Sequence, residues 1–70
     1  MPRDLDQSEV HDLEALVDAC GLDSVLMALS EVCGLKAEHV ANHWQDASLA
    51  KAWATMCGKI GILSTETRGL

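Results

Sequence analysis

The sequence predicts an all-α fold, a small antiparallel three-helix bundle with a long central helix. Ala, Leu, Glu and Lys favour helix and are frequent, whereas Phe and Tyr are absent and no alternating β-branched run occurs. Apolar residues also recur at helical spacing in successive segments that glycines and polar turn residues separate. We expect one domain, residues 1–70, with helices at about 7–20, 23–44 and 46–63 and a flexible tail at 64–70.

The first predicted helix begins with a capping signal. Asp6 is followed three residues later by Glu9, the spacing of a capping box, and a carboxylate suits the positive end of the helix dipole. Gly21 favours a helix end, because glycine tolerates the left-handed conformation found just past the last turn. The apolar positions between these signals are Val10, Leu13, Leu16, Val17 and Cys20.

The second predicted helix begins at Asp23 or Ser24, with Leu22 positioned to pack against Met27. On a helical wheel of about 100° per residue, its apolar residues share one face that continues past Gly34. This continuity favours a single helix of about six turns. The alternative is a break at Gly34, which makes a helix-turn-helix. The shared face consists of Val25, Leu26, Leu29, Val32, Cys33, Ala37, Val40 and Trp44.

The third predicted helix has the clearest periodicity in the chain. Gln45 and Asp46 supply a turn and an N-cap, and the apolar residues follow the i, i+4, i+7, i+11, i+14 pattern. Those residues are Leu49, Trp53, Met56, Ile60 and Leu63. A core of this size rarely supplies more than about 3–5 kcal/mol. We therefore expect the chain to complete its core by self-association or by docking on a partner.

Charge and cysteine content exclude several classes of protein. Eleven acidic against five basic side chains give a net charge of −6, which argues against direct binding to nucleic acid or to an anionic membrane. Residues 1–31 carry eight acids and only Arg3 as a base, so one end of the molecule is acidic. No apolar run approaches a membrane span, and the first residues lack the pattern of an export signal. We expect a soluble, cytoplasmic protein.

The odd number of cysteines predicts reduced thiols rather than a disulfide framework. Cys20 and Cys33 are expected in the core and Cys57 at its boundary. His11, Glu14 and Asp18 share a face of the first helix, but a charged outer face offers no apolar wall to shift their pKa values. We therefore predict no catalytic residues, no cofactor and no enzymatic activity.

His39 and His43 have the i, i+4 spacing that lets two imidazoles bind one metal ion. Val40 stands where zinc hydrolases place a glutamate, and Cys33 is about 15 Å from His43 along a continuous helix, too far to join the pair. We predict no metal site and a solvated or partly packed histidine pair near Trp44. A metal- or redox-responsive regulatory module is the alternative.

The segment from Leu16 to Trp53 resembles a family of short, acidic, uncharacterised helical proteins of bacterial and phage genomes. The most specific pieces are KAEHV at 36–40 and WQDASLAKAW at 44–53. The resemblance covers about half of the chain. It implies a helical fold and a bacterial or phage cytoplasmic setting, and it adds no catalytic residue.

These observations predict a small acidic protein–protein interaction module. The expected partner is a protein. In a concrete version, this chain is a phage protein of the anti-CRISPR kind, and it inhibits a basic host-defence complex that handles nucleic acid. A third hypothesis is a DNA-binding dimer whose helix-turn-helix spans Leu26–Cys33 and Lys36–Trp44, although its second helix lacks a basic stripe. The residues expected to bind the partner are Glu9, Asp12, Glu14 and Asp18, with His39, His43 and Trp44 as a second patch.

Overall fold

The computed structural model describes residues 3–70, and most of them are helical. Helix α1 is Gln7–Cys20, helix α2 is Leu22–His39, a π-helical turn spans Val40–Trp44, and helix α3 is Ala47–Glu66. Residues 3–70 contain no strand, so the all-α prediction is confirmed. The π turn continues α2 and makes the central helical segment the longest, also as predicted. Among these residues, no helix is long and apolar enough to cross a membrane.

The start of α1 is the predicted capping box. The Asp6 carboxylate accepts a hydrogen bond from the backbone N–H of Glu9 at 2.9 Å, and the Glu9 carboxylate accepts one from the backbone N–H of Asp6 at 3.0 Å. Two N–H groups that have no partner within the helix are thereby satisfied. The capping box therefore stabilises the first turn of α1.

One glycine joins α1 to α2. Gly21 has φ +90° and ψ 153°, and its N–H donates to the carbonyl of Val17 at 2.7 Å. Because α2 begins immediately at Leu22, no residue remains for a separate cap. The prediction of an Asp23 or Ser24 cap is therefore wrong: Gly21 itself holds the N-cap position of α2, without a side-chain hydrogen bond.

Gly34 lies inside α2, so the helical segment is unbroken there. The chain reverses later, at Gln45 and Asp46. Gln45 adopts the left-handed conformation, with φ 52°, and Asp46 caps α3 by accepting a hydrogen bond from the N–H of Leu49 at 3.0 Å. The turn that a helix-turn-helix needs at Gly34 is absent from the described chain.

Helices α2 and α3 meet along a seam of small residues. Ser64 Oγ donates to the carbonyl of Asp23 at 2.9 Å, and Ser30 Oγ donates to the carbonyl of Cys57 at 2.8 Å. The first turn of α2 thus lies beside the last turns of α3. These contacts also explain why α3 runs to Glu66 rather than ending near 63, since Ser64 is one of the most buried residues. We call Ser30, Gly34, Cys57, Gly61 and Ser64 the small-residue seam.

Helix α1 contacts α2, and in residues 3–70 it makes no contact with α3. The three helices therefore do not enclose a common core, and the antiparallel three-helix bundle stays a prediction. The molecule is flattened, with extents of 38 × 27 × 13 Å along its principal axes. The fold is a layer of helices with α2 in the middle.

Candidate interaction surfaces

The acidic residues of α1 divide into one that stabilises the helix and three that are free for other contacts. Both carboxylate oxygens of Glu9 bind the Arg3 guanidinium, at 2.6 and 3.1 Å, in addition to the capping box. Hydrogen bonding from Arg3, and then from the Asp6 N–H, holds the pKa of Glu9 below its usual value of 4.5. Within residues 3–70 this is the one ion pair. Glu9 is therefore a structural residue of the α1 N-terminus.

Asp12, Glu14 and Asp18 remain exposed and, within the described chain, have no ion-pair partner. Glu14 and Asp18 are four residues apart and lie on one side of α1. We call the exposed carboxylates Asp12, Glu14 and Asp18 together the acidic face, although Asp12, two residues before Glu14, lies on another side of the α1 surface. Since α1 contacts α2 alone, this face is open to an incoming protein. His11 lies beside it and is exposed too, so no apolar cleft encloses the acid groups.

The second predicted patch lies where α2 passes into the π turn. The His39 and His43 rings are 4.7 Å apart between centroids and tilted by 40°. Trp44, at the end of the same turn, is 71% exposed. Residues 3–70 contain no group of three potential metal ligands, so this pair has no third protein ligand near it there. In the described chain α1 does not contact the π turn, which separates this patch from the acidic face.

The cysteines differ from one another in exposure. Cys33 is buried as expected, and Cys57 is half-buried with its Sγ 3.4 Å from Ser30 Oγ in the small-residue seam. Cys20 is exposed, so its predicted place in the core is wrong. The reason is that α1 contacts α2 alone in the described chain, so no further helix covers the last turn of α1.

Most of the predicted core stripe lies at the surface. The apolar residues buried in the described chain are Cys33 and Val40, and no large side chain there is fully buried. Residues that the periodicity assigned to the core are instead 36–52% exposed. They are Val10, Leu13, Leu16, Leu29, Val32, Leu49, Met56 and Leu63. A pattern of period 3.6 identifies the apolar side of a helix, and it does not say whether the same chain covers that side.

Several exposed apolar residues of α2 and α3 share one surface, whereas Met27, Leu35 and Ile62, which are also exposed, lie off it. At about 100° per residue, Leu29 on α2 and Leu49 and Met56 on α3 lie about a quarter turn from the small-residue seam, in the same rotational sense. Because α3 runs back along α2, equal rotations place these residues on the same side of the layer. We call Leu26, Leu29, Leu49, Trp53, Met56, Ile60 and Leu63 the apolar face.

A shallow groove between α1 and α2 extends the apolar face. Its volume is 260 Å³, and Leu13 and Leu16 of α1 and Val25 and Val32 of α2 line it. Leu29 belongs to both the groove and the apolar face, so the two are continuous. The sequence reading missed this surface because it assigned the same residues to an internal core.

Comparison with known protein families, with curated proteins and with solved structures finds no match to this chain. The resemblance to short acidic proteins of bacteria and phages therefore stays a prediction, and the surfaces above are the basis for a functional argument.

Proposed function

We propose that this protein is a protein–protein interaction module whose acidic face binds a basic surface on a larger protein. The observation that carries the proposal is the exposed set of Asp12, Glu14 and Asp18, which lack an ion-pair partner in residues 3–70. Carboxylates left unpaired on one helix raise the local concentration of basic partners and accelerate association.

The charge of the whole chain supports this role. Residues 1–31 hold eight of the eleven acidic side chains and one base, so the negative potential is concentrated around α1. A nucleic-acid backbone or an anionic membrane is repelled by such a surface. A basic channel that handles nucleic acid is attracted to it, and its occlusion by a phage inhibitor of the anti-CRISPR kind is the concrete version of the proposal.

The predicted contact residues differ in what supports them. Glu9 is occupied by Arg3 and by the capping box, so the proposal rests on the other three carboxylates. His39, His43 and Trp44 stay as a second contact region, since all three are exposed. A metal- or redox-responsive function stays an alternative whose sole structural support is the close pair of imidazole rings.

The proposal is tested by reversing the charge of the acidic face. Tagged protein captures partners from bacterial lysate, each dominant partner is purified, and its Kd is measured against wild type and against a variant with Asp12→Lys, Glu14→Lys and Asp18→Lys. Each removed ion pair contributes a few tenths to about 1 kcal/mol at a rim, so three reversals, which also introduce repulsion, weaken binding at least about 30-fold. Raising the salt concentration reduces the difference.

The matched control has the same change in net charge at a different place. Glu31, Glu38 and Glu66 are exposed on α2 and α3, and their replacement by lysine also raises the net charge by six. This control retains most of the affinity if the site is the acidic face, and circular dichroism establishes that both variants keep their helices. Equal losses in the two variants, or no loss in the first, refute the assignment.

A further inference from the structure

The chain exposes more surface than a compact protein of its mass. Its accessible area is 5515 Å², whereas the scaling of area with mass gives about 4,200 Å² for a folded monomer of 7.5 kDa. Its radius of gyration of 13.7 Å likewise exceeds the value of about 11 Å expected for this length. The excess area, about 1,300 Å², exceeds the roughly 800 Å² that each partner buries in a standard interface and suits an obligate dimer.

The apolar face contributes part of this exposed area. Leu29, Leu49, Met56 and Leu63 are each 43–47% exposed and lie on one side of the layer. On the wheel, Lys36 lies toward that side and Lys59 borders it, and Lys51 lines one hollow of 550 Å³ with Leu49, Trp53 and Met56. The acids Glu31 and Glu38 lie elsewhere. Depletion of charge with a central aromatic residue is typical of the core of an interface, and Trp53 occupies that position.

We infer that the apolar face is covered by a second copy of this chain in a two-fold symmetric dimer. Stacking two layers face to face gives each α2–α3 hairpin an apolar neighbour at an ordinary helix-packing distance of about 8–10 Å. A two-fold contact uses the same patch on both copies, so one charge-poor surface suffices. The two-layer body then has the enclosed core that the helical periodicity predicts and that a single copy lacks.

The charge distribution is compatible with this arrangement. The acidic residues of α1 that carry most of the net charge lie on a different helix from Trp53 and Met56, so like charges do not meet at the centre of the interface. The dimer does not depend on the function proposed above, because the two contacts use different residues and different forces.

The test is the mass and stability of purified protein as a function of concentration. Sedimentation equilibrium is expected to give twice the chain mass of 7.5 kDa, and the Tm is expected to rise with protein concentration. Met56→Glu places a carboxylate in the interface and is expected to raise the dimer Kd at least about 100-fold. The matched control is Ile62→Glu, because Ile62 is also apolar and exposed on α3 but faces away from the apolar face.

A dimer that Met56→Glu dissociates and Ile62→Glu leaves intact supports the inference. A wild-type monomer with a Tm independent of concentration refutes it, as does capture of an apolar partner protein by such a monomer. Equal sensitivity of the dimer to both substitutions, or none to Met56→Glu, refutes the assigned face. If Met56→Glu fails to fold, Trp53 fluorescence in the Trp44→Phe variant decides, because dilution must shift its emission toward that of exposed tryptophan. High salt leaves this apolar dimer intact, although it weakens docking through the acidic face.

Discussion

The glycines differ in what each one does for the backbone. Gly21 has φ +90° and ψ 153°, a region that is nearly exclusive to glycine, and a Cβ there would lie 2.8 Å from Asp23 Oδ1. Gly58 lies within α3 with ordinary helical geometry, and a Cβ there would meet no atom within 4 Å. The sequence shows both simply as glycine, and the helix end predicted at Gly21 rests on the tolerance of glycine for the left-handed conformation.

Alanine substitution at these two positions is expected to have opposite effects. Gly58→Ala gains helix propensity without a clash and stabilises the fold by about 0.5–1 kcal/mol. For a domain of this size, each kcal/mol of added stability raises the Tm by roughly 4–8 °C. Gly21→Ala is strained and lowers stability by about 1–3 kcal/mol. Thermal melts at one protein concentration measure both changes. Stabilisation by both substitutions contradicts the backbone geometry at Gly21.

A second residue-scale prediction concerns the pKa of Glu9. Its pKa is lowered chiefly by the Arg3 hydrogen bond and also by the Asp6 N–H. A carboxyl group with a lowered pKa in the folded state stabilises the fold above its ordinary pKa, and this contribution is lost as pH falls through the lowered value. The start of α1 is therefore expected to loosen below about pH 4.5.

Arg3→Ala is expected to raise the pKa of Glu9 toward 4.5 and to leave the capping box in place. Carboxyl resonances followed by NMR across the acid range measure this shift directly. Lys36→Ala, which removes one positive charge away from α1, is the control and leaves the Glu9 titration unchanged. An unchanged midpoint in Arg3→Ala means that the Arg3–Glu9 pair does not form in solution.

At the scale of whole elements, the features that local sequence signals determine were predicted correctly, and a feature without such a signal was not. The Asp6 and Asp46 caps were readable because a cap is a relation between residues three apart. Continuity of the stripe past Gly34 was readable from period alone. The π turn at Val40–Trp44 was not, since no local sequence pattern marks it.

The unequal packing of the helices predicts unequal local stability. Helix α1 has no buried residue and contacts only α2 in the described chain, whereas α2 and α3 share the small-residue seam. Native-state hydrogen exchange is expected to show faster exchange for the amides of Leu13 and Leu16 than for those of Cys33 and Ile60. Uniform protection across all three helices contradicts this order.

At the scale of the molecule, the helices were predictable from the sequence, whereas the burial of their apolar sides was predicted wrongly. Leu49, Met56 and Leu63 fall on one wheel face, and it is natural to assign such a face to the interior of the chain itself. The structure places α3 beside α2 alone, so that face looks outward. The acidic face was recoverable from the sequence, because charge on an outer helix surface does not depend on which neighbour packs behind the helix.

Because two of the cysteines are covered when α2 and α3 are packed together, their reactivity reports how often these two helices separate. Cys20 is exposed to solvent, Cys57 is half-buried beside Ser30, and Cys33 is buried. An alkylating reagent therefore modifies Cys20 in the native protein, while Cys57 and Cys33 react after α2 and α3 separate. Mass spectrometry of a labelling time course on the wild-type protein therefore measures how often the α2–α3 hairpin opens. The labelling rate of Cys20 is the internal standard for access of the reagent.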